Sequence, residues 1–259
     1  MKPDYKNWMP KGRVWSFCLT FLGLCAALAA AALLAEGTVR TVLMIVFGAG
    51  AVLFLGLSVW AVMMYRAFDY RGKRCMSRQI IEGTADYVKI PDGGKCLDVG
   101  CGSGALSIAV AKRNPKASVI GIDRWGKEYA SFSLELCQRN ALAEGVKNTA
   151  FRQGDATHLD FADETFDAVT SNYVYHNIPG DRQAYLLETL RTLKKGGTFV
   201  IHDIMSASKY GDIHAFVRKL KDMGYEKAEL IGTTNGKFMK KSEAGWMGLS
   251  GSALLIGKK

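Results

Sequence analysis

The chain has 259 residues, room for one or two domains, with 49% hydrophobic and 22% charged residues, an ordinary balance for a globular protein. Its formal net charge of +10 is unevenly placed: residues 1–79 carry ten Lys and Arg against three Asp and Glu, and residues 80–259 carry 24 against 21. A basic excess confined to the first segment, without aromatic-basic interleaving, excludes nucleic acid as the reason for the charge.

Two stretches in that segment carry no charge. Val14 to Ala35 reads VWSFCLTFLGLCAALAAAALLA and Thr41 to Tyr65 reads TVLMIVFGAGAVLFLGLSVWAVMMY, 22 and 25 residues. A helix crossing hydrocarbon needs about 20 apolar residues at about 1.5 Å each, so transmembrane helices are predicted at about 14–35 and 41–65, joined by the link EGTVRT. A cleaved signal has a shorter apolar region, roughly 7–15 residues. Lys2, Lys6, Lys11 and Arg13 precede the pair, and Arg66, Arg71, Lys73, Arg74 and Arg78 follow it; the link holds only Arg40 beside Glu36. Basic flanks favour the cytoplasmic side. The expectation is a multi-pass cell-membrane protein with the bilayer as a partner and both ends cytoplasmic. Residues 1–75 read as the anchor and 76–259 as the second domain. Gly23, Ala27 and Ala31 form a small-residue stripe suited to close helix approach.

From about residue 79, strand-length apolar runs alternate with helical patterns, the signature of a parallel sheet covered by helices. The predicted strands are KCLDVG (95–100), SVIGID (118–123), TAFRQG (149–154), FDAVTSNY (166–173), GTFVIHDI (197–204), KAELIG (227–232) and SALLIGKK (252–259). Helical stretches fall near 104–113, 127–143, 182–194 and 211–224. Between the last two strands, Phe238, Met239, Trp246 and Met247 beside Lys240 and Lys241 are expected in a loop that lies on a membrane or caps a substrate. The six cysteines include no CxxC pair or metal-ligand spacing, so reduced thiols and no metal site are expected.

The chemistry gathers after the first strand, in CLDVGCGSG (96–104). Ligands of open α/β sheets bind at the carboxyl ends of the strands, and Gly100, Gly102 and Gly104 would let one lie against bare backbone. Pyrophosphate-binding loops favour anions at a helix N-terminus, whereas Asp98 here would repel one. An acid before the glycines suits a cationic nucleoside such as S-adenosylmethionine, which carries an ammonium and a sulfonium. Asp123, 19 residues past Gly104, ends the second strand where an acid accepts ribose hydroxyls. Asp155 follows the third strand, within reach of an adenine amine.

The segments CLDVGCGSG, GIDRW, GDATHLDFADETFDAV and LRTLKKGGTFVIHDI resemble the class I S-adenosylmethionine-dependent methyltransferases, above all the ubiquinone/menaquinone C-methyltransferase branch. The resemblance covers about residues 79–259 and implies an α/β fold: a Rossmann-like seven-stranded sheet of order 3-2-1-4-5-7-6 with its last strand antiparallel. It implies that Asp98, Gly100, Cys101, Gly102 and Gly104 contact the methionine part. Asp123 would take the ribose, Asp155 and Ala156 the adenine, with Arg124 and Trp125 over its face. After the fourth strand, SNYVYHNI places Asn172, Tyr173 and His176 at the methyl group as candidates for clamping or deprotonating the acceptor. His176 stands where the quinone branch has an arginine. His202 and Asp203 end the fifth strand, within reach of the same place. The function implied is methyl transfer to a small, lipophilic or membrane-associated acceptor. Two other readings stay open: a hairpin that only tethers an enzyme for a soluble acceptor, and a noncatalytic S-adenosylmethionine-binding subunit of a membrane complex.

Overall fold

A computed structural model describes residues 2–126 and 131–259. The chain divides into two units, Asn7–Arg78 and the residues up to Lys6 joined to Gln79–Lys259.

The first unit is built on α1 (Lys11–Leu34) and α2 (Gly37–Phe68). Only Ala35 and Glu36, both extended, separate them, so most of the expected link EGTVRT is already helix. Two extended residues suffice to reverse the chain, and nothing in Thr38–Thr41 breaks a helix. Both helices are long and apolar enough to cross a membrane, with mean hydropathies of 2.4 and 2.5 and few buried residues. The expected Gly23–Ala27–Ala31 stripe is used in part: Ala31 is the buried residue of α1, and Gly23 is exposed. A methyl at Gly23 would meet nothing within 4 Å, whereas one at Gly50 of α2 would lie 3.3 Å from Leu24 of α1. The glycine that admits the neighbour is on the second helix.

α3 (Met76–Ala85) begins before the division at Arg78 and leads into the second unit, a seven-stranded sheet. The strands are β1 (Lys95–Val99), β2 (Ser118–Asp123), β3 (Thr149–Gln153), β4 (Phe166–Asn172), β5 (Leu193–Ile204), β6 (Lys227–Gly232) and β7 (Ser252–Lys258). Their order is β3-β2-β1-β4-β5-β7-β6, as expected, with β7 antiparallel to both neighbours. The connecting helices are α4 (Ala105–Arg113), α5 (Leu134–Ala143), α6 (Arg182–Arg191), α7 (Ala207–Tyr210), α8 (Ile213–Asp222) and α9 (Lys241–Trp246). Helices cover both faces, which is why the central strands are continuous apolar runs rather than alternating ones. Leu97, Val99, Val169, Phe199 and Ile201 belong to one buried cluster under them. The strand order reverses between β1 and β4, opening a crevice at their carboxyl ends.

Local chemistry sets the boundaries. Ser133, Asp181 and Asp212 cap α5, α6 and α8 by accepting backbone N–H groups. Of the helix expected over 127–143, residues 127–130 lie outside the described residues, and α5 starts after its Ser133 cap. β5 begins four residues before the expected 197, because Leu193 pairs with Phe166 across a register shift ahead of the Gly-Gly pair. The expected 233–251 loop contains α9, and its Phe238 and Met239 are buried rather than outward-facing. The amides of both bond Thr233 O, folding them inward, while Trp246 stays exposed.

β7 offers a stringent packing test. A methyl at Gly257 would lie 2.1 Å from Lys227 O and 2.3 Å from Phe199 Cζ. Gly257→Ala should destabilise the unit by about 2–3 kcal/mol and lower the thermal midpoint by roughly 5 °C or more. A melting curve of the full chain that matches wild type would contradict the packing at this site.

Candidate active site

The glycine turn after β1 is wedged between its neighbours. Gly100, Gly102 and Gly104 all have left-handed φ, between 56° and 79°, which residues with a Cβ adopt only at a cost. At Gly100 a methyl would also stand 2.2 Å from Val174 Cγ2. The turn after β4 therefore lies directly against the start of the glycine turn, and only a bare Cα permits it.

Gly102 is fixed from three directions. Its amide donates to Asp123 Oδ2 at 2.8 Å, and its carbonyl accepts from Trp125 Nε1 at 2.9 Å and Cys137 Sγ at 3.2 Å. The other Asp123 oxygen accepts from the Trp125 amide at 2.8 Å. Trp125, at a left-handed φ of 45°, thus turns its indole back onto the glycine turn. Cys101 lies buried beneath the turn, its thiol pushed up by burial and then by Cys137; its backbone amide bonds Ile122 O.

Asp98 is buried behind this turn. One carboxyl oxygen takes the Ser107 hydroxyl at 2.5 Å; the other has no hydrogen-bond partner among the described residues. Burial pushes the carboxyl up to about 7, against the Ser107 hydrogen bonds and with the help of the Asp123 charge. A buried carboxyl with an open oxygen behind a bare-backbone turn fits a cationic ligand and opposes a phosphate.

The adenine-side candidates lie beyond β2 and β3. Asp155 is exposed and bonds Thr157 N at 2.8 Å and Thr157 Oγ1 at 2.7 Å, which hold it below the usual carboxylate range. Ala156 packs on the core cluster, and Arg124 is exposed.

The acceptor-side candidates form two linked networks. Tyr173 Oη and Ser252 Oγ are 2.8 Å apart, and the serine donates onward to Leu249 O at 2.6 Å. The phenol therefore gives its proton to the serine. Its ring meets those of His176 and His202 edge-on, at 5.8 and 4.6 Å. His202 is fully buried, bridging Asn172 Oδ1 at 2.8 Å and Thr233 Oγ1 at 2.9 Å, and burial lowers its pKa to about 3. It is a neutral strut for Asn172. His176 sits in a 3-10 turn (Tyr175–Asn177), partly exposed, with Nδ1 against the buried Asp203 carboxylate.

Sequence reasoning missed Asn140. Its side chain pairs with both backbone groups of Asp4, accepting from N at 2.7 Å and donating to O at 2.9 Å, and it also donates to Ser103 O at 2.9 Å. One buried amide thus joins an N-terminal strap to the glycine turn. A mid-helix asparagine gives no sequence signal for that role. Ser252 and Thr233 were equally silent.

Residues 90–246 match a family model described as a methyltransferase domain. A demethylmenaquinone methyltransferase from Lactobacillus johnsonii is 36% identical over 112 residues, covering 42% of this chain and 43% of that protein. The ubiquinone/menaquinone biosynthesis C-methyltransferase UbiE from Desulfotalea psychrophila is 30% identical over 164 residues, covering 63% and 60%. This chain spans about half the length of the curated relatives it matches. A crystal structure of the cyclase SpnF shares the fold, with a TM-score of 0.53 at 18% identity over 74% of this chain and 85% of that one.

Asp98 sets a pH dependence of known sign. Its folded pKa of about 7 exceeds the ordinary 3.8, so its stability contribution is complete below about pH 4 and is lost as pH rises through 7. Asp98→Asn should match wild type near pH 4 and exceed it at pH 8 by about 4 kcal/mol. Parallel pH–stability curves for the two ligand-free proteins would contradict the buried acid.

Proposed function

The chain belongs to the methyltransferase domain family, and from that premise we propose that it methylates a small lipophilic acceptor drawn from the membrane. Residues 90–246 are a S-adenosylmethionine-dependent methyltransferase domain. The observation that carries the donor site is the open, buried oxygen of Asp98 behind the glycine turn. Bound S-adenosylmethionine supplies a methyl carbon made electrophilic by its sulfonium.

In this reading Asp98 faces the ligand's ammonium, while Gly100, Gly102 and Gly104, with the Cys101 backbone, lie along its methionine part. Asp123 keeps its loop contacts and turns its remaining lone pairs to the ribose. Arg124, Asp155 and Ala156 border the adenine. Asn172, Tyr173 and His176 form the acceptor wall; aligning the acceptor with the methyl and excluding water supply most of what such a displacement needs. A lipophilic acceptor is supported by the two apolar helices, and a quinone-type ring by the names of the two relatives. The basic flanks favour a domain on the cytoplasmic face.

Full-length protein in lipid nanodiscs, given methyl-labelled S-adenosylmethionine and whole-membrane extract, should pass label into the organic phase. Label confined to the aqueous phase would sink the lipophilic acceptor; label in neither phase would sink methyl transfer. Asp123→Ala releases the Gly102 and Trp125 amides together and should weaken S-adenosylmethionine binding at least about tenfold by calorimetry. Unchanged affinity would remove Asp123 from the site.

A further inference from the structure

Asp203 lies outside the donor site, yet it is the best-satisfied buried acid of the crevice. Its Oδ1 accepts from Ile204 N at 2.7 Å and faces His176 Nδ1. Its Oδ2 accepts from the His176 amide at 3.1 Å and from the Tyr210 hydroxyl at 2.7 Å. Burial works to raise this carboxyl, but the hydrogen bonds from His176, Tyr210 and Ile204 outweigh it and hold it below the usual range. An ionised carboxylate only accepts, so the proton between the two groups belongs to His176 Nδ1. The proton that His176 gains or loses is then the one on Nε2, for which no described residue is a partner. The residues before His176 place this turn against the donor loop, since Val174 abuts Gly100.

We propose that Asp203 is a positioning residue that locks His176 with Nε2 as the general base, and that the acceptor therefore arrives with a proton to lose, which for the quinone-type ring read above is a phenol-class hydroxyl. This rests on the methyltransferase reading and adds the acceptor's chemical class to it. The acceptor's O–H bond breaks, its proton passes to His176 Nε2, and the electron pair stays on the acceptor. That pair, on oxygen or delocalised to a ring carbon, forms the bond to the methyl as the carbon–sulfur pair leaves with sulfur. If a ring carbon is attacked, its C–H proton then leaves to water and aromaticity returns. The imidazolium left beside Asp203 replaces the positive charge lost from the sulfonium, so charge balances and nothing is oxidised.

A neutral histidine needs a fixed tautomer to act this way, and general-base catalysis is worth about a hundredfold or more. With four histidines in the chain, ¹⁵N-histidine-labelled full-length protein in nanodiscs gives an assignable spectrum, and His176→Gln identifies the resonances. Wild type at pH 8.5 should show His176 protonated at Nδ1 and bare at Nε2; the opposite tautomer would overturn the proposal. Asp203→Asn should mix the tautomers and cut kcat on 1,4-naphthohydroquinone about a hundredfold, with S-adenosylmethionine affinity within about threefold of wild type. An Asp203→Asn protein that binds S-adenosylmethionine and keeps wild-type kcat would also overturn it. Should that variant fail to fold, His176→Gln must show the kcat loss, and its absence counts against the proposal. Wild-type label appearing only on a tertiary amine or thioether probe, which has no proton to lose, would refute the base while leaving methyl transfer standing. No transfer to any probe would instead condemn the function proposed above, and the tautomer would still be read from the spectrum.

Discussion

A carboxylate taken out of water must be compensated, and the crevice is organised by how three strand-end acids meet that demand. Each costs several kcal/mol to bury without partners. Asp203 receives hydrogen bonds on both oxygens and behaves as scaffold. Asp123 receives two backbone amides and thereby shapes the glycine turn around itself. Asp98 has one oxygen served and one open, and its carboxyl is pushed up accordingly. The incomplete member of the set sits where a positive ligand would complete it. That gradient, from satisfied to unsatisfied, separates the walls of the site from its contents.

The same principle distinguishes the two histidines. His202 lies on β5 and His176 follows the neighbouring β4, and both touch the same tyrosine ring. His202 is wholly enclosed between two neutral side chains, so burial keeps it uncharged and it serves only to hold Asn172. His176 is partly open and rests on an anion. Residue type alone gave no reason to prefer one over the other; enclosure and partner do.

What was readable in the sequence was local or periodic. Glycines spaced around one strand end, acids at the tips of successive strands and apolar runs of strand length depend on near neighbours along the chain, and the sheet order followed from the resemblance they carried. What was hidden depends on partners far away in sequence. Asn140 meets Asp4 across 136 positions and Ser103 across 37. Phe238 was read as part of a membrane-lying or substrate-capping loop, yet its amide bonds the Thr233 carbonyl and its ring is buried. Of the Gly23–Ala27–Ala31 stripe, Ala31 is buried but Gly23 is not, and the close contact falls at Gly50 of the other helix, because spacing within one helix carries no information about its partner. The fifth strand, read from Gly197, begins at Leu193 because the sheet accommodates a bulge there.

The strap at Asp4 and Tyr5 has a topological consequence. Asp4 is clasped by Asn140, and the Tyr5 hydroxyl reaches Glu144, both on or beside α5. The chain leaves this unit at Lys6 and rejoins it at Gln79, having passed through α1 and α2. A closed circuit pierces a sheet an even number of times. While the clasp holds, a bilayer can be crossed by both helices or by neither, and a single crossing is forbidden.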